Sequence, residues 1–317
     1  MKALIEGVWH PRVEDRAAYD AARARQAPHL FRSWIGEDSR FAPQAGRYRL
    51  YVSYACPFAH RTILYRTLLG LEDALPMTVA HPRWSGPDGW TFTPDPAFPE
   101  VGVDPVYGES SLWRFYVRAK PDFTGKVTVP VLWDMKHETI VSTESAEIMR
   151  MLDLAMAKPF GNGRTFYPQE QRAEIDSLGG FIRSRINGGV YKVGFAKGQA
   201  AYDVALQDLF AALDEIATHL ADGRPYLLGE TPCEADWLLF PTLVRFDAVY
   251  HGALRCSLRR LAEDPLLFAY TKRLFAWPGV AATVKMDHVK RHYYDDLGEI
   301  DHTIVPKGPA DAFTSAA

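Results

Sequence analysis

Cysteine is scarce in this chain of 317 residues: Cys56, Cys233 and Cys256, with no CxxC pair among them. Three are too few for a disulfide framework, so each thiol is judged on its own surroundings. No stretch approaches the roughly 18 uninterrupted apolar residues of a membrane span. The N-terminus, MKALIEGVWHPRVEDR, lacks an apolar signal core of about 7–15 residues and carries acids early. An excess of one charge is missing too. The 36 Lys+Arg against 39 Asp+Glu leave a formal charge of −3, which removes the electrostatic footprint of a general nucleic-acid binder. With 47% apolar and 24% charged residues, the composition excludes disorder. The expectation is a soluble, cytoplasmic protein with no nucleic-acid or membrane partner, long enough for one large domain or two ordinary ones.

What is present reads in segments. Residues 1–46 are rich in Arg, Ala and Pro with little periodicity, and are expected to be an extension pinned to the body by Trp9, Phe31 and Trp34. Tyr48, Leu50 and Val52 then alternate with Arg49, Tyr51 and Ser53 at the period of a strand. Cys56-Pro57 and the helically spaced ILYRTLLGL follow, which together open a βα unit. A second strand is expected at Met77–Ala80, then a long Pro/Gly/Trp-rich excursion of the kind that is usually functional. VTVPVLWD and TIVS read as adjacent strands with a turn near Lys136–Glu138. Ser142 or Thr143 is placed to cap a helix starting around Glu144.

The order βαβ then ββα predicts a thioredoxin-like α/β domain over 47–155. The Pro/Gly-rich stretch 156–168 reads as a linker, 169–300 as an all-helical domain, and 301–317 as a tail. In the helical part, Tyr202, Ala205, Leu209, Leu213, Ile216 and Leu220 form one apolar stripe. Thr231 is the expected N-cap of a helix with Pro232 at its first position and Glu234 closing the capping box. Pro241 is expected to kink that helix.

Chemistry points first to Cys56. A thiolate is the reactive form, and a cysteine between a strand and a Pro-initiated helix meets free backbone N–H groups and the positive end of the helix dipole. His60 and Arg61 add cationic character within the next turn. All of these are expected to lower the thiol pKa; the bland alternative is a buried structural thiol. Position 59 is alanine, so no second thiol can resolve a mixed disulfide, and Cys56 must be regenerated by a small external thiol. Val129-Pro130 is read as a cis-proline leaving the backbone of Val129 free to pair with an extended peptide thiol; the alternative is an edge-strand proline. Glu144 and Ser145 at a helix N-terminus could take an ammonium and a carboxylate together, as the γ-glutamyl end of glutathione presents them; taken alone they could be plain capping.

The motifs YVSYACPFAHRTILYRTLLGLE, DGWTF, GKVTVPVLWD, IVSTESAEIMRM, INGGVYKVGFA, EADWLLFPTLVRFDAVY and HVKRHYY occur in this order, from GVWH at residues 7–10 to IVPKGP near the end. In them the chain resembles the glutathionyl-hydroquinone reductases, the Xi class of glutathione transferases. The resemblance implies a thioredoxin-like N-terminal domain, an all-helical C-terminal domain, a homodimer, and glutathione as cosubstrate with no metal. It implies removal of a glutathionyl group from a hydroquinone ring as glutathione disulfide. On the motifs, Cys56 is the nucleophile. Trp90, Val129 with Pro130, Glu144 and Ser145 hold glutathione, and Tyr191 and Tyr293 line an aromatic pocket where they can donate to the ring oxygen or carbon.

Three departures stand out. Phe58 replaces the usual Trp; Lys126 replaces an Arg and offers a point charge where Arg grips a carboxylate with two bonds; and Leu238 and Pro241 differ from the usual helix sequence. Lys126 is therefore expected to be a weaker glutathione contact. Other readings are a broader omega-like thiol transferase using the same Cys56, and a noncatalytic interaction protein, against which the intact Cys56, Val129-Pro130 and Glu144-Ser145 set speaks. A metal cluster of His288, His292, Asp295 and Asp296 is disfavoured, since there is no HExxH motif and a solvated helix end explains the set.

Overall fold

The computed structural model describes residues 1–28, 30–37, 39–296, 304, 306–309 and 313. Most of the stretch read as a tail therefore lies outside the described residues. The chain divides into two compact units, Met1–Arg164 and Thr165–Ala317.

The first unit begins with structure that composition does not signal. Strands β1 (Ala3–Ile5) and β2 (Val8–His10) form an antiparallel pair, followed by helix α1 (Arg16–Ala24). Strands of three residues are too short for a periodicity argument. Their turn places Gly7 at φ 81°, and a side chain there would collide with the Pro121 carbonyl. Asp15 caps α1 by accepting the Ala18 N–H at 2.8 Å. Trp9 stacks on Trp113 with centroids 6.0 Å apart, and Phe31 packs on Tyr116 and Phe123. Trp34, in contrast, stays 42% exposed.

The body of this unit is a four-stranded sheet in the order β4-β3-β5-β6. Its elements are β3 (Tyr48–Val52), α2 (Pro57–Leu68), β4 (Met77–Val79), α3 (Trp113–Ala119), β5 (Val131–Asp134), β6 (Thr139–Ser142) and α4 (Ser145–Met151). β4 runs parallel to β3, while β5 is antiparallel to both β3 and β6. The alternation in β3 suggests one wet face, yet Leu50, Tyr51 and Val52 are all buried. β3 is a central strand, and the Tyr51 ring is covered by Phe92 and Phe115 while its hydroxyl donates to Asp104 at 2.8 Å. The VTVPVLWD run becomes strand only from Val131, beyond the residue with no N–H to give. The long excursion is tied by short bridges, Thr91 to Ser111 and Asp95 to Phe98, and ends in α3, whose seven residues carry no readable stripe. After α4 the helix continues through a π-helical turn (Leu152–Met156) into α5 (Ala157–Phe160).

Among the described residues the second unit is helical, with one isolated bridge between Tyr226 and Gly229. Helices α6 (Arg172–Phe181) and α7 (Gly189–Gly194) flank a π-helical stretch, Ile182–Asn187. Then come α8 (Gln199–His219), α9 (Glu234–Leu243), a second π-helical stretch (Phe246–Tyr250), α10 (His251–Ala253), α11 (Pro265–Phe275) and α12 (Met286–Asp296). On α8 the stripe is buried at Leu209, Leu213 and Ile216 and half-buried at Tyr202 and Ala205. Trp237 sits in the core, edge-on to Phe166, Phe240 and Trp277.

The expected cap of α9 is corrected by two residues: Cys233, not Thr231, is the N-cap. Asp236 closes the box in place of Glu234, accepting the N–H groups of Cys233 (2.8 Å) and Leu227 (3.0 Å) and the Tyr270 hydroxyl (2.7 Å). Thr-Pro-x-Glu satisfies the sequence pattern, but the buried carboxylate that reaches these donors decides the start. Pro241 lies inside α9, which continues to Leu243.

Candidate active site

β3 delivers the chain to a short turn, and Cys56 becomes the N-cap of α2 with Pro57 at the first helical position. The proline suits that place because its missing N–H would be an orphan there anyway. The Cys56 thiol is half-buried and donates to the Val129 carbonyl at 3.6 Å. Val129-Pro130 is cis, and β5 begins directly after it. The edge-strand alternative therefore does not describe Pro130, which sits at the entrance of a strand paired on both sides.

His60 and Arg61 differ from a simple cationic collar. Both are buried, and the Arg61 guanidinium donates to Ser145 Oγ at 3.1 Å while lying 4.9 Å from the Phe58 ring centroid. Arg61 thus links α2 to α4 and stacks on the aromatic that replaces tryptophan.

Glu144 is the N-cap residue of α4, but its side chain makes no capping bond. Instead the Ser142 hydroxyl accepts the Glu144 N–H at 3.1 Å, so the expected cap at Ser142 or Thr143 acts one step before the helix. Lys126 is exposed and, with Thr128, Thr143 and Glu144, lines a cavity of about 360 Å³. The opposite wall comes from the N-terminal segment, through Tyr19, Arg23, Phe31 and Arg32. Sequence reasoning assigns Tyr19, Arg23 and Arg32 no role and reads Phe31 only as an aromatic pinning the extension to the body; no local pattern marks them as part of a site. Trp90 is buried in the long loop, where its carbonyl accepts the Leu112 N–H at 2.9 Å. His81 secures that loop, its backbone N–H on Thr91 O at 2.8 Å and its ring 3.1 Å from Asp95.

In the second unit the hydroxyls of Tyr191, on α7, and Tyr293, on α12, are 2.6 Å apart. Tyr293 also donates to the hydroxyl of Tyr250 at 3.3 Å, a residue that sequence reading quotes within a motif but gives no function. Burial, then the neighbouring Tyr191 and Tyr250, push the Tyr293 hydroxyl well above the usual phenol range.

The remaining thiols are inert by setting. Burial raises Cys233 strongly and pushes Cys256 up to about 12. Among the described residues, no three His, Cys, Asp or Glu side chains are grouped to hold a metal ion. His288 is buried on α12, and the side chain of Asp296 lies outside the described residues. Among the described residues no helix is long and apolar enough to cross a membrane.

Comparison with known proteins places this geometry. The family model for the glutathione S-transferase N-terminal domain matches residues 55–155, and that for the C-terminal domain matches 199–273. The chain is 40% identical over 311 residues to the glutathionyl-hydroquinone reductase PcpF of Sphingobium chlorophenolicum, covering 98% of this chain and 97% of that protein. It is likewise 40% identical to the glutathionyl-hydroquinone reductase YqjG of Escherichia coli, over 98% and 95%. A glutathione S-transferase omega-like 2 of Schizosaccharomyces pombe is 37% identical over 94% of this chain and 96% of its own. Among solved structures, the Xi class transferase from Natrialba magadii superposes with TM-score 0.90 at 42% identity, covering 100% of this chain and 96% of its own. Glutathione-bound YqjG gives TM-score 0.86 at 38% identity, over 97% and 95%. With a cysteine at a helix start facing the carbonyl of the residue before a cis-proline, and similarity over its whole length, the chain belongs to the glutathionyl-hydroquinone reductases, the Xi class of the glutathione transferases.

Proposed function

We propose that the protein reduces glutathionyl-hydroquinones to hydroquinones with glutathione, releasing glutathione disulfide, and that Cys56 carries the exchange. The observation that carries this reading is the half-buried Cys56 thiol at the start of α2, directed at the Val129 carbonyl, with Ala59 where a resolving cysteine would stand. The N-terminus of α2 and its dipole favour a thiolate there.

The reaction runs in two exchanges. The Cys56 thiolate attacks the sulfur of the glutathionyl group, forming a Cys56–glutathione disulfide and breaking the bond from sulfur to ring carbon. An aryl carbanion is a poor leaving group. The substrate therefore reacts as its keto tautomer, in which a proton has moved to that carbon and the electron pair of the broken bond ends on the ring oxygen. Tyr191 and Tyr293 donate to that oxygen or pass the proton to carbon. A second glutathione then attacks the mixed disulfide as its thiolate, restoring Cys56 and leaving as glutathione disulfide. In sum, one glutathionyl-hydroquinone and one glutathione give one hydroquinone and one disulfide.

Trp90, Lys126, Val129, Pro130, Glu144 and Ser145 hold glutathione in this reading. Glu144 takes the γ-glutamyl ammonium, with its carboxylate not engaged in capping α4, and Ser145 with the helix N-terminus takes the carboxylate. The protein acts in the cytoplasm as a homodimer and uses no metal. The omega-like alternative, a term that also appears in the name of the Schizosaccharomyces relative, would use the same cysteine for deglutathionylation, dehydroascorbate reduction or thioether cleavage. Parallel rates at one glutathione concentration separate the two. The proposal expects faster turnover of glutathionyl-hydroquinones than of simple mixed disulfides, and the reverse order would favour the alternative.

A further inference from the structure

Buried Trp90 follows an exposed turn of Ser85, Gly86, Pro87 and Asp88, residues too small and polar to pack for themselves. On its far side the body of the first unit holds it: the Trp90 carbonyl accepts the Leu112 N–H at 2.9 Å, and the next carbonyl, of Thr91, accepts the His81 N–H at 2.8 Å. On its near side the contacts come from the hairpin of β1 and β2. The Trp9 indole N–H donates to the Pro87 carbonyl at 2.9 Å, and a Cβ on Gly89 would stand 3.3 Å from Trp9 Cζ2. Gly89, at φ 66°, suits this place both by conformation and by room. The same Trp9 ring stacks on Trp113, the neighbour of Leu112. Lys2 donates to the Trp84 carbonyl, with its ammonium 4.1 Å from the centroid of that ring. The hairpin is itself fixed to the body, since Leu4 exchanges two backbone bonds with Gly125, at 2.9 and 3.0 Å, one residue before Lys126.

We infer that Trp9 is a positioning residue for glutathione, acting through Trp90; the inference rests on the assignment of Trp90 to glutathione made above. Trp9 touches both segments that carry Trp90, the turn leading into it and the residue beside the one that holds its carbonyl. A free turn of small residues has many conformations, and ordering it at the moment of binding would cost affinity. The hairpin orders it when the unit folds, so Trp90 stands in place before glutathione arrives. Its hydrogen bond goes to a backbone carbonyl, and its ring rests on a residue without a side chain, so Trp9 fixes the course of the chain itself. Without Trp9 the turn is released on its near side. Binding of glutathione, and of the glutathionyl group of the substrate, then weakens while the chemistry at Cys56 is untouched.

The test titrates glutathione calorimetrically into wild type, Trp9→Ala, Trp9→Phe, Trp90→Ala and the two double variants, with Trp34→Ala, an exposed aromatic of the same N-terminal segment, as control. Hydroquinone release, the rate of Cys56 alkylation and thermal unfolding are followed alongside. Expected for Trp9→Ala is a loss of affinity on the order of tenfold, the worth of one hydrogen bond and of ordering a turn residue. That loss should exceed any fall in kcat at saturating substrate, and Cys56 should be alkylated as fast as in wild type. Trp9→Phe keeps a ring on Trp113 and loses the bond to Pro87, so it should lose less; it carries the test if Trp9→Ala does not fold. In the Trp90→Ala background neither Trp9 variant should cost anything further. Unchanged affinity in both Trp9 variants, an equal loss in Trp34→Ala, or losses that multiply in the double variants overturn the inference. Trp90→Ala that binds glutathione as wild type does overturns the assignment of Trp90 on which the inference rests. Wild-type protein that releases no hydroquinone overturns the proposed function itself.

Discussion

The guanidinium of Arg61 donates to the hydroxyl of Ser145 at 3.1 Å, joining the helix that begins at Cys56 to the helix that begins at Glu144. Both ends of the proposed glutathione site are thereby braced against each other by a buried, charge-assisted bond. Replacing Arg61 by Met keeps the stem and removes the bond. The expected result is a higher KM for glutathione, several-fold by the worth of such a bond, with Cys56 still open to alkylation. An unchanged KM would separate the brace from binding.

Thiol labelling should be selective. Cys233 and Cys256 are buried, with ionisation driven far upward, and Cys56 is half-buried at a helix start. One equivalent of a small alkylating reagent is expected to react in the native protein, and almost none in Cys56→Ala. Mass spectrometry of the labelled peptides reads the result.

How much of this was legible depends on distance along the chain. Cys56-Pro57, Val129-Pro130 and Glu144-Ser145 are each adjacent residues whose chemistry is local, so their places at a helix start, a strand entrance and a second helix start could be read directly. The wall formed by Tyr19, Arg23 and Arg32 could not, because it exists only once the N-terminal segment folds across residues 125–144. The cap at Cys233 was misplaced for the same reason: Asp236 is chosen by Leu227 and Tyr270, one nine residues before it and the other 34 after. Tyr250 gains meaning only beside Tyr293, 43 residues on.

A buried ion pair should control acid stability of the first unit. Arg47 donates to both oxygens of Asp134 at 2.8 Å, and His137 lies 2.6 Å away. Burial alone would raise the Asp134 carboxyl, but the bonds from Arg47 and His137 outweigh it and hold it below the usual carboxylate range. A depressed folded-state pKa contributes stability above the unfolded value, near pH 4, which is lost as pH falls through the folded value. Asp134→Asn should destabilise by about 3–5 kcal/mol at neutral pH, because it leaves Arg47 buried without its counter-charge. Denaturant unfolding at pH 7 and at pH 3 should show the variant's deficit shrinking in acid; a constant deficit would contradict the assignment.

Lys126 offers a gain-of-binding test. Arginine there can meet a carboxylate with two parallel bonds where lysine makes a point contact. Lys126→Arg should lower the KM for glutathione and Lys126→Ala should raise it, with kcat little changed in both. Steady-state kinetics with varied glutathione decides, and a flat response would remove Lys126 from the site.

Tyr191→Phe and Tyr293→Phe should each keep glutathione binding while losing turnover of glutathionyl-hydroquinones by about 10²-fold or more, the usual worth of a positioned proton donor. Calorimetric glutathione titration and hydroquinone release measure the two separately. Unaltered turnover in both variants would exclude them from the chemistry.

The most direct measurement is a single turnover without free glutathione. Stoichiometric protein is mixed with a glutathionyl-hydroquinone, quenched in acid and mapped by mass spectrometry. The account predicts one hydroquinone released per chain and one glutathionyl group held as a disulfide on Cys56, with neither seen in Cys56→Ala. Hydroquinone release that survives the loss of Cys56, or release with no adduct on it, would contradict the account.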